Sequence, residues 1–233
     1  MHFVKPKVEL LRHTPDPERV VASAAHLCYN SSGLAEIQKS MTDKQVERLI
    51  GHCVSMGHHS VLEHATFTYG VEGISRTMTH QLVRHRIASY SQQSQRYVEY
   101  DDVSFIVPPK IAGDERLLDK YKEVLREQEK AYRALVDSGI APEDARYVLP
   151  NATETKIAIT MNARELLHFF TVRCCNRAQW EIRAVATEML RLARKAAPTV
   201  FNGAGPSCLR GPCPEGKMTC GKAEEVREFF RNM

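Results

Sequence analysis

The sequence predicts an α+β fold, and three observations point there. Helical and strand-like periodicities follow one another without regular strand–helix–strand alternation. The 233 residues are 43% hydrophobic and 26% charged, a globular composition able to bury one substantial core or two small ones. No apolar run approaches the roughly 20 residues needed to span a bilayer.

The opening residues, MHFVKPKVELLRH, carry charges where a secretory signal would be continuously apolar, so a cytoplasmic protein is expected. Asp16–Tyr29 reads as a helix with Val20, Val21, Ala24, Ala25 and Cys28 on one face. A second helix begins at Thr42, where Thr42 and Gln45 form a capping-box pattern, and runs to about Met56. Glu63–Gly73, with Ala65, Phe67, Tyr69 and Val71, reads as a strand. Ser75–Arg86 reads as a helix with Met78, Leu82 and Val83 inward, followed by a polar loop from Ser89 to Tyr97. Tyr97–Tyr100 and Ser104–Val107 read as short strands, and Glu115–Ser138 as a long charged helix. Thr153–Met161 is a strand with Ile157 and Ile159 on one face. Asn162 to Glu165 then caps a helix ending near Val172. Ala178–Ala196 is a helix with Ile182, Val185, Ala186, Met189 and Ala193 at helical spacing. The chain from Phe201 is rich in Gly, Pro and Cys, with a short helix near Glu224–Phe230.

The net charge of +4 suits an anionic ligand but says little about nucleic acid. Its distribution says more. Gly73 to Val98 contains no Asp or Glu, yet holds Arg76, His80, Arg84, His85, Arg86 and Arg96 among Ser and Gln residues. Guanidinium forks with hydroxyl and amide groups suit a phosphorylated, hydrogen-bonding ligand. Gln81 and Arg84, three apart, would share a helix face. Composition alone leaves open a nucleotide site, a solvated basic face and an RNA-contact strip.

The order of these residues is more specific. Arg84-His85-Arg86, then Ser89, Ser94, Arg96 and Tyr97, resembles the signature of flavin-dependent thymidylate synthases. His58–His64 (HHSVLEH) is similar to that family's flavin-proximal segment, and Arg146–Pro150 to its substrate-contact element. Asn162-Ala163-Arg164, His168, Arg173 and Ala178–Glu181 are similar to its C-terminal flavin and nucleotide segment. The chain departs from the pattern at Ser91, where Asn is common, and at Gln92, often Glu. It departs again at His168, where Asn is common, and at Arg177, where His is common.

The resemblance implies a single domain over 1–201, a mixed central sheet flanked by helices, followed by a Cys/Gly/Pro-rich tail over 202–233. It implies a homotetrameric transferase that methylates dUMP to dTMP. FAD is the cofactor, NADPH the reductant and 5,10-methylenetetrahydrofolate the carbon donor, with no membrane or nucleic-acid partner. Ser60, Arg84, His85, Arg86, Gln92, Asn162, Ala163, Arg164 and His168 are the implied FAD contacts. Asn162 and Ala163 would begin a helix whose free N–H groups suit an anion or a ring carbonyl. Gln81, Leu82, Val83, Arg84, Gln92, Gln93, Ser94, Gln95, Arg96, Arg146 and Arg173 are the implied dUMP contacts. Arg173 is the implied catalytic residue, a cation beside the N3–O2 edge of uracil that favours electron density at C5. Read without the family, Arg173 is more simply a helix C-terminal cation, favoured by the dipole. Two other functions fit the basic segment: a nucleic-acid-binding module, and a nucleotide-binding flavoprotein without methylation activity.

Other groupings carry less. Ser94 has no triad pattern around it and reads as a ligand-positioning hydroxyl. Cys174 and Cys175 read as structural rather than nucleophilic. His58, His59, Glu63 and His64 lack the spacing of a helical metal motif, and Glu63 with His64 is expected to begin the strand. No catalytic metal is expected. The seven cysteines, an odd number, argue against a disulfide scaffold. Cys208, Cys213 and Cys220 lack a CxxC pair but admit a structural zinc with a fourth ligand from elsewhere.

Overall fold

The computed structural model describes residues 2–100 and 102–233. Its strands are β1 (His2–Phe3), β2 (Lys7–His13), β3 (Thr66–Ser75), β4 (Ala88–Gln92), β5 (Ser104–Phe105) and β6 (Glu154–Asn162). Its helices are α1 (Pro17–Leu27), α2 (Leu34–Ser40), α3 (Asp43–Ser55), α4 (Arg76–Leu82), α5 (Pro109–Ala112), α6 (Glu115–Asp137), α7 (Pro142–Ala145), α8 (Ala163–Arg173), α9 (Trp180–Ala196) and α10 (Ala223–Asn232). Short 3-10 turns cover His59–His64, Arg146–Val148, Ser207–Leu209 and Gly216–Met218. A four-stranded sheet has the order β2-β3-β6-β4, and β1 pairs in parallel with β5. The α+β expectation is borne out.

The chain forms two compact units. The first comprises the N-terminal strand up to Lys7, Val71–Arg84 and Tyr90–Ala158. Its core gathers Val103, Phe105, Leu125, Tyr132 and Ala145, packed under α6. Gly73 is indispensable here. Its φ is +66°, and a Cβ would lie 2.2 Å from the Lys5 carbonyl oxygen. Gly73→Ala should therefore cost about 2–4 kcal/mol, from the left-handed conformation and the backbone overlap together. A urea midpoint equal to that of the parent chain would contradict this.

The second unit comprises Val8–Gly70, His85–Ser89 and Ile159–Met233. Here α1 packs on α3 and on the turn His59–His64, while α8 packs on α9. Thr42 and Gln45 form the expected capping box. Phe67, Phe169, Phe170 and Phe201 are fully buried, with Phe201 edge-on to Phe67 and Phe170 at 5.3 and 5.9 Å between centroids. The buried Tyr69 hydroxyl donates to the Met189 carbonyl at 3.3 Å, which satisfies it inside the core.

Several local expectations are corrected. Glu63 and His64 close a 3-10 turn, and the strand begins at Thr66. The helix after Ser75 ends at Leu82, so Arg84–Arg86 is not helical and Val83 is 42% exposed. Gln81 and Arg84 therefore do not share a helix face. Ala88–Gln92 is a strand rather than a loop, whereas Tyr97–Tyr100 is not a strand. Cys28 caps α1 in solvent instead of joining its buried face.

Candidate active site

In the second unit the site is organised by α8. Asn162 caps this helix, its side-chain oxygen accepting from the Glu165 N–H at 2.9 Å. The Ala163 N–H donates to the Ala65 carbonyl at 2.8 Å. These two N–H groups, expected to be free for a ligand, are already engaged. Leu166, Phe169 and Phe170 bury one face of the helix. Arg164, His168 and Thr171 follow at helical spacing on another and line a cavity of about 690 Å³. His59, Glu63 and Asn202 also line it, and Arg164 is paired with Glu63 at 2.6 Å. Ser60 lies exposed on the neighbouring turn.

His85 is the buried centre of the expected signature, 6% exposed, between the exposed Arg84 and Arg86. Arg173 Nε donates to His85 Nε2 at 3.0 Å. That nitrogen must therefore be the bare one, so Nδ1 carries the proton and donates it to Glu165 Oε1, 3.2 Å away. Glu165 and Arg173 sit eight residues apart, about 12 Å along the helix. The imidazole bridges them, a neutral ring between a carboxylate and a guanidinium. Burial, then the Arg173 charge, then His168, lower the His85 pKa to about 4. Burial pushes the Glu165 carboxyl up, with His168 opposing.

Ligating atoms of His85, Glu165 and His168 also lie within 4.8 Å of one another. Arg173 aims a positive charge and a donor at one of the nitrogens, which disfavours a cation there. The cluster reads as a hydrogen-bond chain, not a metal centre. Among the described residues, neither the histidines of His58–His64 nor the tail cysteines gather as closely.

In the first unit, the amide nitrogen of Gln92 donates to Thr79 Oγ1 and Thr155 Oγ1 at 3.1 and 3.2 Å. Its carbonyl is left as the acceptor. Gln93 Oε1 and Gln95 Nε2 are buried without a hydrogen-bond partner, a state that costs about 1–3 kcal/mol per group until something pairs with it. Ser94 Oγ accepts from the Arg96 N–H at 3.1 Å, a local turn. Leu82 is fully buried, and its carbonyl accepts from the Tyr90 hydroxyl.

Two expected arginines meet at Glu143. Arg96 Nε bonds its carboxylate at 2.8 Å, and Arg146 Nε bonds its carbonyl at 3.0 Å. The first pair is half exposed, so it holds Arg96 by no more than about 1 kcal/mol and yields readily to a better anion. Arg76 joins them, though it was not among the expected contacts. Burial lowers its pKa and Arg146 lowers it further, with Tyr100 opposing. Its signal in the sequence was its place in the acid-free stretch. Glu165 was also missed, because at the third position of a helix it read as a capping residue.

The model of the family described as thymidylate synthase complementing protein matches residues 9–199. A flavin-dependent thymidylate synthase from Geobacter sulfurreducens is 58% identical over 229 residues, covering 97% of this chain and 99% of that protein. The chain belongs to the flavin-dependent thymidylate synthase family. A flavin-dependent thymidylate synthase from Clostridium tetani is 50% identical, with 96% of each chain covered. Among solved structures, the UMP/dUMP methylase PolB from Streptomyces cacaoi, bound with 5-Br dUMP, matches with a TM-score of 0.76 at 26% identity. That match covers 86% of this chain and 95% of the methylase. The family model ends at residue 199, before Cys208, whereas the Geobacter flavin-dependent thymidylate synthase is matched over nearly the whole chain.

Proposed function

We propose that this chain converts dUMP to dTMP, with FAD as cofactor, NADPH as reductant and 5,10-methylenetetrahydrofolate as carbon donor. Beyond family membership, the observation that carries this reading is the hydrogen-bonded chain Glu165–His85–Arg173, its first two members buried. A neutral imidazole, its tautomer set by a carboxylate, holds a guanidinium at the end of α8. Such a cation beside the N3–O2 edge of uracil stabilises the negative charge that makes C5 nucleophilic, an effect worth roughly 3 kcal/mol in the transition state. The nucleotide is the substrate class seen with the Streptomyces cacaoi methylase, which is bound with 5-Br dUMP.

The residues of the second unit fit a flavin. The 690 Å³ cavity is of ligand size and is lined by Asn162, Arg164 and His168. Those residues, with Ser60, His85, Arg86 and Ala163, would hold FAD, which supplies the two-electron redox chemistry of the reaction. Arg84, Gln92 and Gln95 would serve ligand contacts from the first unit, and Arg76, Arg96 and Arg146 the phosphate of dUMP. Ser94 and Gln93 would position the same nucleotide, with the main chain of Gln81, Leu82 and Val83 beside it. A cytoplasmic homotetramer is the proposed working form.

The test is direct. Purified protein should show flavin absorption bands and form dTMP from dUMP when supplied with NADPH and methylenetetrahydrofolate. Salt-sensitive RNA binding by a colourless protein would favour the nucleic-acid reading instead. Flavin bands without dTMP would favour a non-methylating flavoprotein. Arg146→Ala should raise the KM for dUMP about ten- to hundredfold, the worth of one charge-assisted hydrogen bond, with FAD retained. An unchanged KM would remove Arg146 from the phosphate site.

A further inference from the structure

Four of the seven cysteines, Cys175, Cys208, Cys213 and Cys220, surround one cavity of about 280 Å³ in the second unit; Arg173 lines it too, but its Nε is committed to His85, and four thiolates would outweigh one guanidinium. Cys175 follows the end of α8, and the others come from the tail. All are free thiols, Cys208 buried and the remaining three half-buried. The adjacent Cys174 does not line the cavity. It is buried, and desolvation pushes its thiol up to about 12. The chain thus turns Cys174 into the core and Cys175 toward the tail.

The tail around these thiols lacks a core of its own. From residue 212 to 222, Cys213 and Cys220 are the residues withdrawn from solvent, and all the others are exposed. The segment's hydrogen bonds are local, as in Met218 N–H to the Glu215 carbonyl and Gly221 N–H to Thr219 Oγ1. It is linked to the rest of the unit by Asn176 Nδ2 against Cys220 Sγ at 3.9 Å and by the Lys222 carbonyl, which accepts from the Val226 N–H of α10. On either side the chain is anchored. Arg227 of α10 donates to the carbonyls of Cys208 and Gly211 at 2.8 and 3.0 Å, and Arg194 of α9 donates to the Phe230 carbonyl. An irregular loop whose inward groups are thiols, fixed at both ends, has the construction of a small metal-stapled module.

We propose that Cys175, Cys208, Cys213 and Cys220 form a structural tetrathiolate site for zinc. Soft thiolates in a closed four-ligand set select zinc over hard cations, and a four-thiolate set is characteristic of structural rather than catalytic zinc. Each sulfur binds the metal as thiolate, and any proton it carried goes to solvent. Among the described residues no three of these sulfurs lie within 4.8 Å of one another. Binding therefore draws the Cys213–Cys220 loop inward, toward the S···S spacing of about 3.8 Å that Zn–S bonds near 2.3 Å require.

The experiment is metal analysis of full-length protein purified without chelator, followed by replacement with Co²⁺. About one zinc per chain is expected. The cobalt form should show an intense thiolate-to-metal band and the visible transitions of a tetrahedral site. Cys213→Ser and Cys220→Ser should each lose most of the metal, while Cys28→Ser, on the exposed end of α1, should keep it. Because a serine variant can fail to fold, the native chain supplies a second measurement. Titration with an organomercurial should release zinc to a chromogenic chelator in step with the loss of four thiols. Absence of zinc at any stoichiometry from the folded protein would overturn the proposal. So would disulfides joining these cysteines, or octahedral cobalt spectra.

Discussion

Arg173→Ala is expected to lower kcat for dTMP formation by about 10²–10³-fold while the protein remains yellow. The magnitude follows from losing one preorganised charge at the point where negative charge develops, about 2.7–4 kcal/mol. FAD retention follows from placement: the cavity assigned to the flavin is lined by Arg164, His168 and Thr171 of α8, and Arg173 does not line it. Its guanidinium points to His85 instead. The measurement is single-turnover dTMP formation beside the flavin spectrum of the same sample. Near-normal turnover would show that another group activates the uracil, and a colourless variant would show that Arg173 belongs to the flavin site. Arg173→Lys should recover little, because an ammonium lacks the Nε donor that meets the imidazole and the planar fork that meets a ring edge.

The second large effect concerns acid. His85 titrates at about 4 in the folded chain, against 6.5 for an ordinary histidine. Between those values the unfolded chain takes up a proton that the folded chain refuses. Stability is thus fully present above pH 6.5 and falls as the pH drops toward 4. The loss approaches about 3 kcal/mol from this residue. Glu165 works in the opposite sense. Its raised carboxyl favours the folded state at low pH, and that contribution disappears as pH rises through the raised value. The clean reading is a difference: urea unfolding of the parent chain and of His85→Gln, compared from pH 7 to pH 4. The parent should show the steeper dependence, and parallel curves would mean that His85 is not held neutral. Well above pH 4 the native imidazole stays unprotonated, so the bond from Arg173 persists. The activity profile from pH 6 to 8 should then carry no inflection from His85.

Much of the fold was legible because long amphipathic helices declare themselves. α3, α6, α8, α9 and α10 each repeat apolar residues at helical spacing, and Thr42 with Gln45 marks one start without ambiguity. What failed was short or polar. β2 alternates weakly and lies near the surface, so Val8 and Leu10 gave no strand signal. β4 is written Ala-Ser-Tyr-Ser-Gln and looked like a loop, since its place in the sheet comes from neighbours distant in sequence. Tyr97 invited a strand reading, yet it is 80% exposed with the Arg96 guanidinium over its ring.

The site divided along the same line. Arg84-His85-Arg86 and Arg173 were visible as a family pattern. That His85 would turn inward and receive Arg173, with Glu165 behind it, depends on contacts 80 and 88 residues apart. No local periodicity encodes such a pairing. Glu143 escaped notice for the same reason, and Arg76 stood out only as a member of the acid-free stretch, not as a contact.

The two compact units are each assembled from three separate stretches of chain, and β3 and β6 both change unit part-way along their length. Neither unit exists as a contiguous run of codons. No single cut in the gene releases one of them intact, and fusion or exchange of modules between related genes has no seam to use. A ribosome must also deliver residues beyond 159 before the second unit can close, so early segments wait on late ones.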